Sequence, residues 1–385
     1  MLKKFAVQNF KNFKDTLTLD FGDVGGYKFN QDCINNDIIC KCLIYGRNAT
    51  GKTNLGEALT DITNIIFGPS HRIIEDKILN ANSKELSASF YYLFSFGQDN
   101  LAYNYKRNDK RELLSEVLKV NDVIVYDLDF KEGSFKHLDL SIIGVDTIQT
   151  EKYIDSIQLA FGDIEDEKSS RVPFLRFILN NTPLKSDSLL FKLEDYVAGI
   201  RFNTVGSSII MRQSRINMSF VDYLSEDDNL SKFESFLNTM GIECKLEVVK
   251  SADGQNVLFF KHDTLIPFFE NASSGTIALI TLYRRIIAVE RKPSLLYMDE
   301  FDAFYNYEMS EKIVKFFKEN YRECQIIMTT HNTNLMTNQL MRPDCLFILS
   351  RDGRITPLCN ATERELREGH NLEKLYIGGE FEKYE

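Results

Sequence analysis

Gly46-Arg47-Asn48-Ala49-Thr50-Gly51-Lys52-Thr53 fits the pattern G-x-x-x-x-G-K-[ST] without a gap. Just upstream, Ile38-Ile-Cys-Lys-Cys-Leu-Ile-Tyr45 is a nearly continuous apolar run, as expected of a buried strand. Downstream, Leu55, Ala58, Leu59, Ile62, Ile65 and Ile66 recur at helical spacing. The unit is strand, loop, helix. In that context the glycines let the backbone wrap a phosphate chain, with successive N–H groups and the helix N-terminus facing the anion. Lys52 then reaches the β- and γ-phosphates of a nucleotide, and the Thr53 hydroxyl takes one position on Mg²⁺. The binding stretch is read as Gly46, Arg47, Asn48, Ala49, Thr50, Gly51, Lys52 and Thr53, with Asn54 added at its end. The competing reading is a chance match, which arises about once per hundred chains of this length.

Three further stretches bear on the same chemistry. Leu295-Leu-Tyr-Met-Asp299-Glu300 is an apolar strand ending in two carboxylates. Beside the phosphate-loop strand, Asp299 can hold Mg²⁺ through water, and Glu300 can polarise a water for attack on the γ-phosphorus. Alone, such an ending is an ordinary loop entry. Ser273-Ser274-Gly275 opens a helix 24 residues before Asp299; it is first of all an N-cap and also an anion site. Ile326-Ile-Met-Thr-Thr-His331 is a strand followed by a histidine, by default a solvated side chain.

Taken together these stretches resemble the ABC-type ATPases. Ser273-Ser274-Gly275 stands where that family carries its signature, and His331 stands at its switch histidine. The resemblance implies that the signature of one subunit covers the γ-phosphate held by the other, so that a homodimer or higher oligomer shares ATP sites. Val7-Gln-Asn-Phe-Lys-Asn-Phe13 looks like the first strand of the SMC/RecF-like branch. More closely, Ser273-Ser-Gly-Thr, Asp299-Glu-Phe-Asp-Ala, Thr329-Thr-His-Asn-Thr-Asn-Leu-Met and Leu372-Glu-Lys-Leu-Tyr-Ile-Gly-Gly resemble the prokaryotic AAA-type defence ATPases of RloA- and AbiL-like abortive-infection systems. Residues 100–240 match in layout only. The resemblance implies an ATPase with ATP and Mg²⁺ as ligands and Glu300 and His331 as catalytic residues. It further implies a switch that controls a separate effector, a nuclease or toxin. Two alternatives stay open: a RecF-like repair ATPase acting directly on DNA, and a slowly hydrolysing, nucleotide-locked scaffold. Asn306 departs from the family at the D-loop position, and Gln98, in a Gly-Gln-Asp-Asn turn, is better explained by turn chemistry than as a Q-loop.

The rest of the chain sets the frame. Its 385 residues, 43 % hydrophobic and 26 % charged with seven Pro, have a globular composition. A net charge of −10 excludes a dedicated nucleic-acid coat. The basic groups Lys106-Arg107 with Lys110-Arg111, Arg212 with Arg215, and Arg284-Arg285 with Arg291-Lys292 are read as solvated faces, with DNA contact allowed but not shown. Seven scattered cysteines, no apolar run of membrane length and no signal-peptide pattern point to a cytoplasmic protein. The expected fold is α/β: a P-loop ABC-type ATPase head with an antiparallel β subdomain and a helical insertion. Residues 1–150 are expected to form the N-terminal lobe, 151–245 a mixed, mainly helical insertion, and 246–385 the C-terminal lobe.

Overall fold

The computed structural model describes residues 1–68, 77–145, 150–159, 172–204, 220–289 and 291–385. Arg212 and Arg215 lie outside them. The N-terminal half contains β1 (Leu2–Gln8), β2 (Leu17–Asp20), the short pair β3 (Ile34–Asn35) and β4 (Ile38–Ile39), and β5 (Lys41–Tyr45). Then come α1 (Lys52–Thr60), α2 (Ile62–Phe67) and five strands: β6 (Ala88–Phe96), β7 (Asp99–Arg107), β8 (Leu113–Val120), β9 (Val123–Asp129) and β10 (Ser134–Leu138). The middle holds α3 (Thr150–Leu159), α4 (Phe174–Asn181), α5 (Leu189–Ala198), β11 (Ile200–Thr204), α6 (Asn229–Thr239), β12 (Leu246–Lys250), β13 (Asn256–Lys261) and β14 (Leu265–Pro267). The chain closes with α7 (Ser274–Leu282), β15 (Leu295–Asp299), α8 (Tyr307–Asn320), β16 (Gln325–Thr330), β17 (Leu346–Leu349), β18 (Ile355–Pro357) and α9 (Leu372–Ile377).

Two sheets organise these elements. The first runs β11-β15-β16-β5-β17-β18 and is parallel except for its last pair. Every residue of β5, β15 and β16 is buried, which is why these strands read as largely apolar runs with polar residues near their ends. The second is antiparallel, in the order β10-β9-β8-β7-β6-β1-β2. Here burial alternates along β6, so Phe90, Tyr92 and Phe94 face inward. The architecture is therefore the expected one, an α/β P-loop head of ABC type with an antiparallel subdomain.

Polar side chains stitch the two sheets together. The buried Gln325 of β16 donates through Nε2 to the carbonyls of Leu2 and Ile39, and its Oε1 accepts from the Leu2 N–H and the Tyr196 hydroxyl. All the hydrogen-bonding capacity of one amide is spent on holding β1 and α5 to the parallel sheet. Asp61, where the helix after the phosphate loop breaks, accepts from Arg107 and Tyr105 of β7 at 2.6 Å each. Arg107 is thus a buried ion-pair member, against the expectation of a solvated basic face.

Three local features depend on tertiary pairing. Strand β8 has few strong β-formers beyond Leu113, Val117 and Val120, and was not legible in the sequence; its pairing with β7 and β9 secures it. The 6/7 hairpin turns on Gly97 and Gln98 alone, with Phe96 opposite Asp99, so Asp99 and Asn100 are strand residues. Within the mixed, mainly helical stretch, β11 pairs in parallel with β15 and joins the central sheet.

Candidate nucleotide site

The phosphate loop follows β5 at the carboxyl end of the parallel sheet, where open α/β sheets place their ligands. Gly51 adopts φ 103° at the N-cap of α1, a conformation that a side chain disfavours. Ala49 also has positive φ, at 66°. α1 lies close against the sheet: a Cβ on Gly56 would come within 2.4 Å of the Phe202 ring and 2.6 Å of the Tyr297 ring. Tyr297 of β15 donates its hydroxyl hydrogen to the Lys52 carbonyl at 2.5 Å, which ties the first turn of α1 to the acidic strand.

Lys52 is buried, and its Nζ donates to the Gly46 and Arg47 carbonyls at 2.9 and 3.1 Å. It stands 3.7 Å from Glu300 Oε1. Thr53 donates to Asp299 Oδ2 at 2.6 Å, and Thr329 donates to Asp299 Oδ1 at 2.9 Å. Burial pushes the Asp299 carboxyl above the ordinary range, opposed by both threonine hydrogen bonds and by the Lys52 charge. The Glu300 N–H donates to Thr329 Oγ1 at 2.8 Å, and the Phe301 N–H to the Thr329 carbonyl at 3.2 Å. These bonds hold Glu300 at φ 46°, a strained setting for a non-glycine residue and one that gathers at functional sites. Its carboxylate remains 45 % exposed.

Mg²⁺ fits this donor set. The Thr53 hydroxyl and an Asp299 oxygen meet at hydrogen-bond distance, both are hard oxygen ligands, and Lys52 is adjacent. Among the described residues no group of three or more His, Cys, Asp and Glu could hold a metal alone. Few protein ligands, with the rest from phosphate and water, is the usual coordination of Mg²⁺.

The structure brings Gly46, Lys52, Thr53, Asp299 and Glu300 together, and places the other predicted residues around them. Thr50 closes the loop by donating to the Arg47 carbonyl at 3.0 Å. Arg47 turns outward to an ion pair with Glu385, Asn48 is exposed, and Asn54 donates to Asn12. His331 follows β16 and is exposed. Ser273 and Ser274 are exposed at the start of α7; Ser273 accepts the Thr276 N–H as an N-cap, and Gly275 lies against the Phe304 carbonyl. Among the described residues no hydrogen bond joins them to the phosphate loop of their own chain. Asn306 is the N-cap of α8, accepting the Met309 N–H at 2.9 Å, which explains an amide at that position. Gln98 is exposed in its hairpin turn. Sequence reasoning gave no role to Thr329, which grips both Asp299 and the Glu300 backbone. Its only signal was a hydroxyl residue at the end of an otherwise apolar strand.

The family described as "AAA domain, putative AbiEii toxin, Type IV TA system" matches residues 197–337, a little over a third of the chain. That span runs from β11 past His331 and leaves out the phosphate loop. No curated protein matches the chain. Similar solved structures are the SMC head bound to the C-winged helix domain of ScpA and the SMC head domain from Thermotoga maritima. The first has a TM-score of 0.43 and 14 % identity, covering 90 % of this chain and 93 % of that one. The second has the same score and identity, covering 92 % and 98 %. At that level of likeness the assignment rests on strand order and site geometry. By those the chain has a phosphate loop beside an acidic strand end in an α/β P-loop head.

Proposed function

We propose that this protein binds ATP with Mg²⁺ and hydrolyses it as a switch, with two chains closing on shared sites to control a separate effector nuclease or toxin in an anti-phage system. The observation that carries the reading is the interlock of Thr53, Asp299 and Thr329 beside buried Lys52. A chance phosphate-loop match would have no reason to meet an acidic strand end there. Lys52 and the loop N–H groups bind the phosphate chain, Thr53 and Asp299 hold the ion, and Glu300 takes the proton of the attacking water. The ion, when bound, neutralises charge on the β- and γ-phosphate oxygens. His331 contacts the γ-phosphate, and Ser273, Ser274 and Gly275 approach it from the second chain. The matched family's description, which names a putative AbiEii toxin, supports the defence context.

Phosphate release and calorimetry test the first step. Glu300→Gln keeps the shape of the side chain but cannot serve as the base, so it should bind ATP, accumulate the ATP-bound assembly and lose turnover. Wild-type turnover in that variant would move the base elsewhere, and a wild-type chain that does not bind ATP would end the reading. For the second step, the chain should be co-expressed with the protein encoded beside it. Wild type should govern that protein's activity and Lys52→Ala should not; equal control by both would remove nucleotide from the switch.

A further inference from the structure

Asp302, three residues beyond Asp299, is only 6 % exposed, and among the described residues no lysine or arginine pairs with it. A buried carboxylate without a cation is costly, and it persists where something else uses the charge. Burial pushes its carboxyl above the ordinary range; the Thr330 hydrogen bond, its own backbone, the nearby His331 ring and the Asn332 side chain act in the opposite direction. The Thr330 hydroxyl donates to Asp302 Oδ2 at 2.7 Å and accepts the Asn332 N–H at 2.9 Å. One hydroxyl therefore closes the three-residue turn whose middle residue is His331, and Asp302 holds that hydroxyl in place. The other carboxylate oxygen, Oδ1, is buried with no partner, as is the Tyr45 hydroxyl just before the phosphate loop. Tyr45 in turn feels the Asp302 charge. Unpartnered buried polar atoms are rare in folded proteins and call for an explanation.

We propose that Asp302 is a positioning residue for His331: through Thr330 it sets the turn that carries the imidazole. It links the acidic strand's turn to the end of β16, so that Glu300 and His331 are held by one frame. Thr329 grips the Glu300 backbone, and Thr330, the next residue, grips Asp302. The inference rests on the ATPase reading for its kinetic consequence but not for its geometry.

Two variants probe it. Asp302→Asn removes the charge at constant shape, and Thr330→Val removes the hydroxyl at constant volume. In ATP turnover each should lower kcat about tenfold while the ATP dissociation constant stays within about twofold. In a His331→Ala background Asp302→Asn should cost less than about twofold, because the residue it positions is gone. An equal loss in both backgrounds would show a role independent of His331 and overturn the proposal. So would unchanged kcat in both single variants. A second readout needs no turnover. With five histidines in the chain, the His331 imidazole ¹⁵N–¹H signal can be identified by its disappearance in His331→Ala. It should move in Asp302→Asn and in Thr330→Val, and a signal unmoved in both sinks the idea. A wild-type chain without ATP turnover would refute the ATPase reading, and the imidazole signal would still decide whether Asp302 positions His331.

Discussion

Lys52 shows how much chemistry one side chain can concentrate. Its ammonium is buried, held by two carbonyls of its own loop, and set near Glu300. Charge-assisted hydrogen bonds to phosphate contribute about 1.5–3 kcal/mol each. Lys52→Ala should therefore weaken ATP binding at least about tenfold in calorimetry, with the fold intact by circular dichroism. Equal affinity in the two proteins would refute the assignment. Glu300 is the opposite kind of residue, exposed and strained, and its role is expected in the chemical step rather than in binding.

At the scale of elements, two contacts decide whether the lobes meet correctly. Glu116 of β8 is fully buried and accepts four hydrogen bonds: from the hydroxyls of Tyr103 and Tyr126 and the N–H groups of Phe174 and Leu175. It anchors the start of α4 on the antiparallel sheet, where a carboxylate also suits the helix dipole. Gln cannot accept at its amide nitrogen, so Glu116→Gln leaves at least one buried donor unmet. The expected loss is about 2 kcal/mol in urea unfolding, and a loss near zero would show that the network is dispensable. Gly56 of α1 faces Phe202 and Tyr297 with no room for a methyl group. Helix propensity alone would make Gly56→Ala stabilising by about 1 kcal/mol. Overpacking should win, with a net destabilisation of about 1–3 kcal/mol. A higher melting temperature in the alanine variant would mean that α1 lies farther from the sheet than described.

At the scale of the whole molecule, Ser273 and Ser274 are exposed, and among the described residues no hydrogen bond joins them or Gly275 to their own chain's phosphate loop. In the proposed dimer they face the γ-phosphate of the other chain, so ATP favours closure and ADP does not. A Lys52→Ala chain mixed with a Ser273→Arg chain should restore one intact site per mixed dimer. Each variant alone should be inactive, and the mixture should regain up to about half the activity if sites fire independently. Labels on α7 of one chain and α1 of the other give a readout free of turnover. In ATP-bound Glu300→Gln the two helices should come close together. Helices that remain far apart would rule out the shared site.

The local units of this protein were legible in its residues. Gly46–Thr53 lies between a nearly continuous apolar strand and a helix-spaced apolar stripe, and each of these patterns follows from nearest-neighbour geometry that a linear chain displays. The acidic ending of β15 and the N-cap run at Ser273 were visible for the same reason. Strands β8 and β11 were not, because a strand's identity depends on the neighbour it pairs with, and β11 finds its partner β15 more than ninety residues away. Long-range contact also turned Arg107 from a surface charge into a buried partner of Asp61. Only the tertiary structure revealed the paired threonines: Thr329 serves Asp299 and Glu300, Thr330 serves Asp302, and along the chain they show only as hydroxyl residues at a strand end. Such hydrogen bonds join atoms some thirty residues apart in sequence, and only the parallel pairing of β15 with β16 brings them within reach.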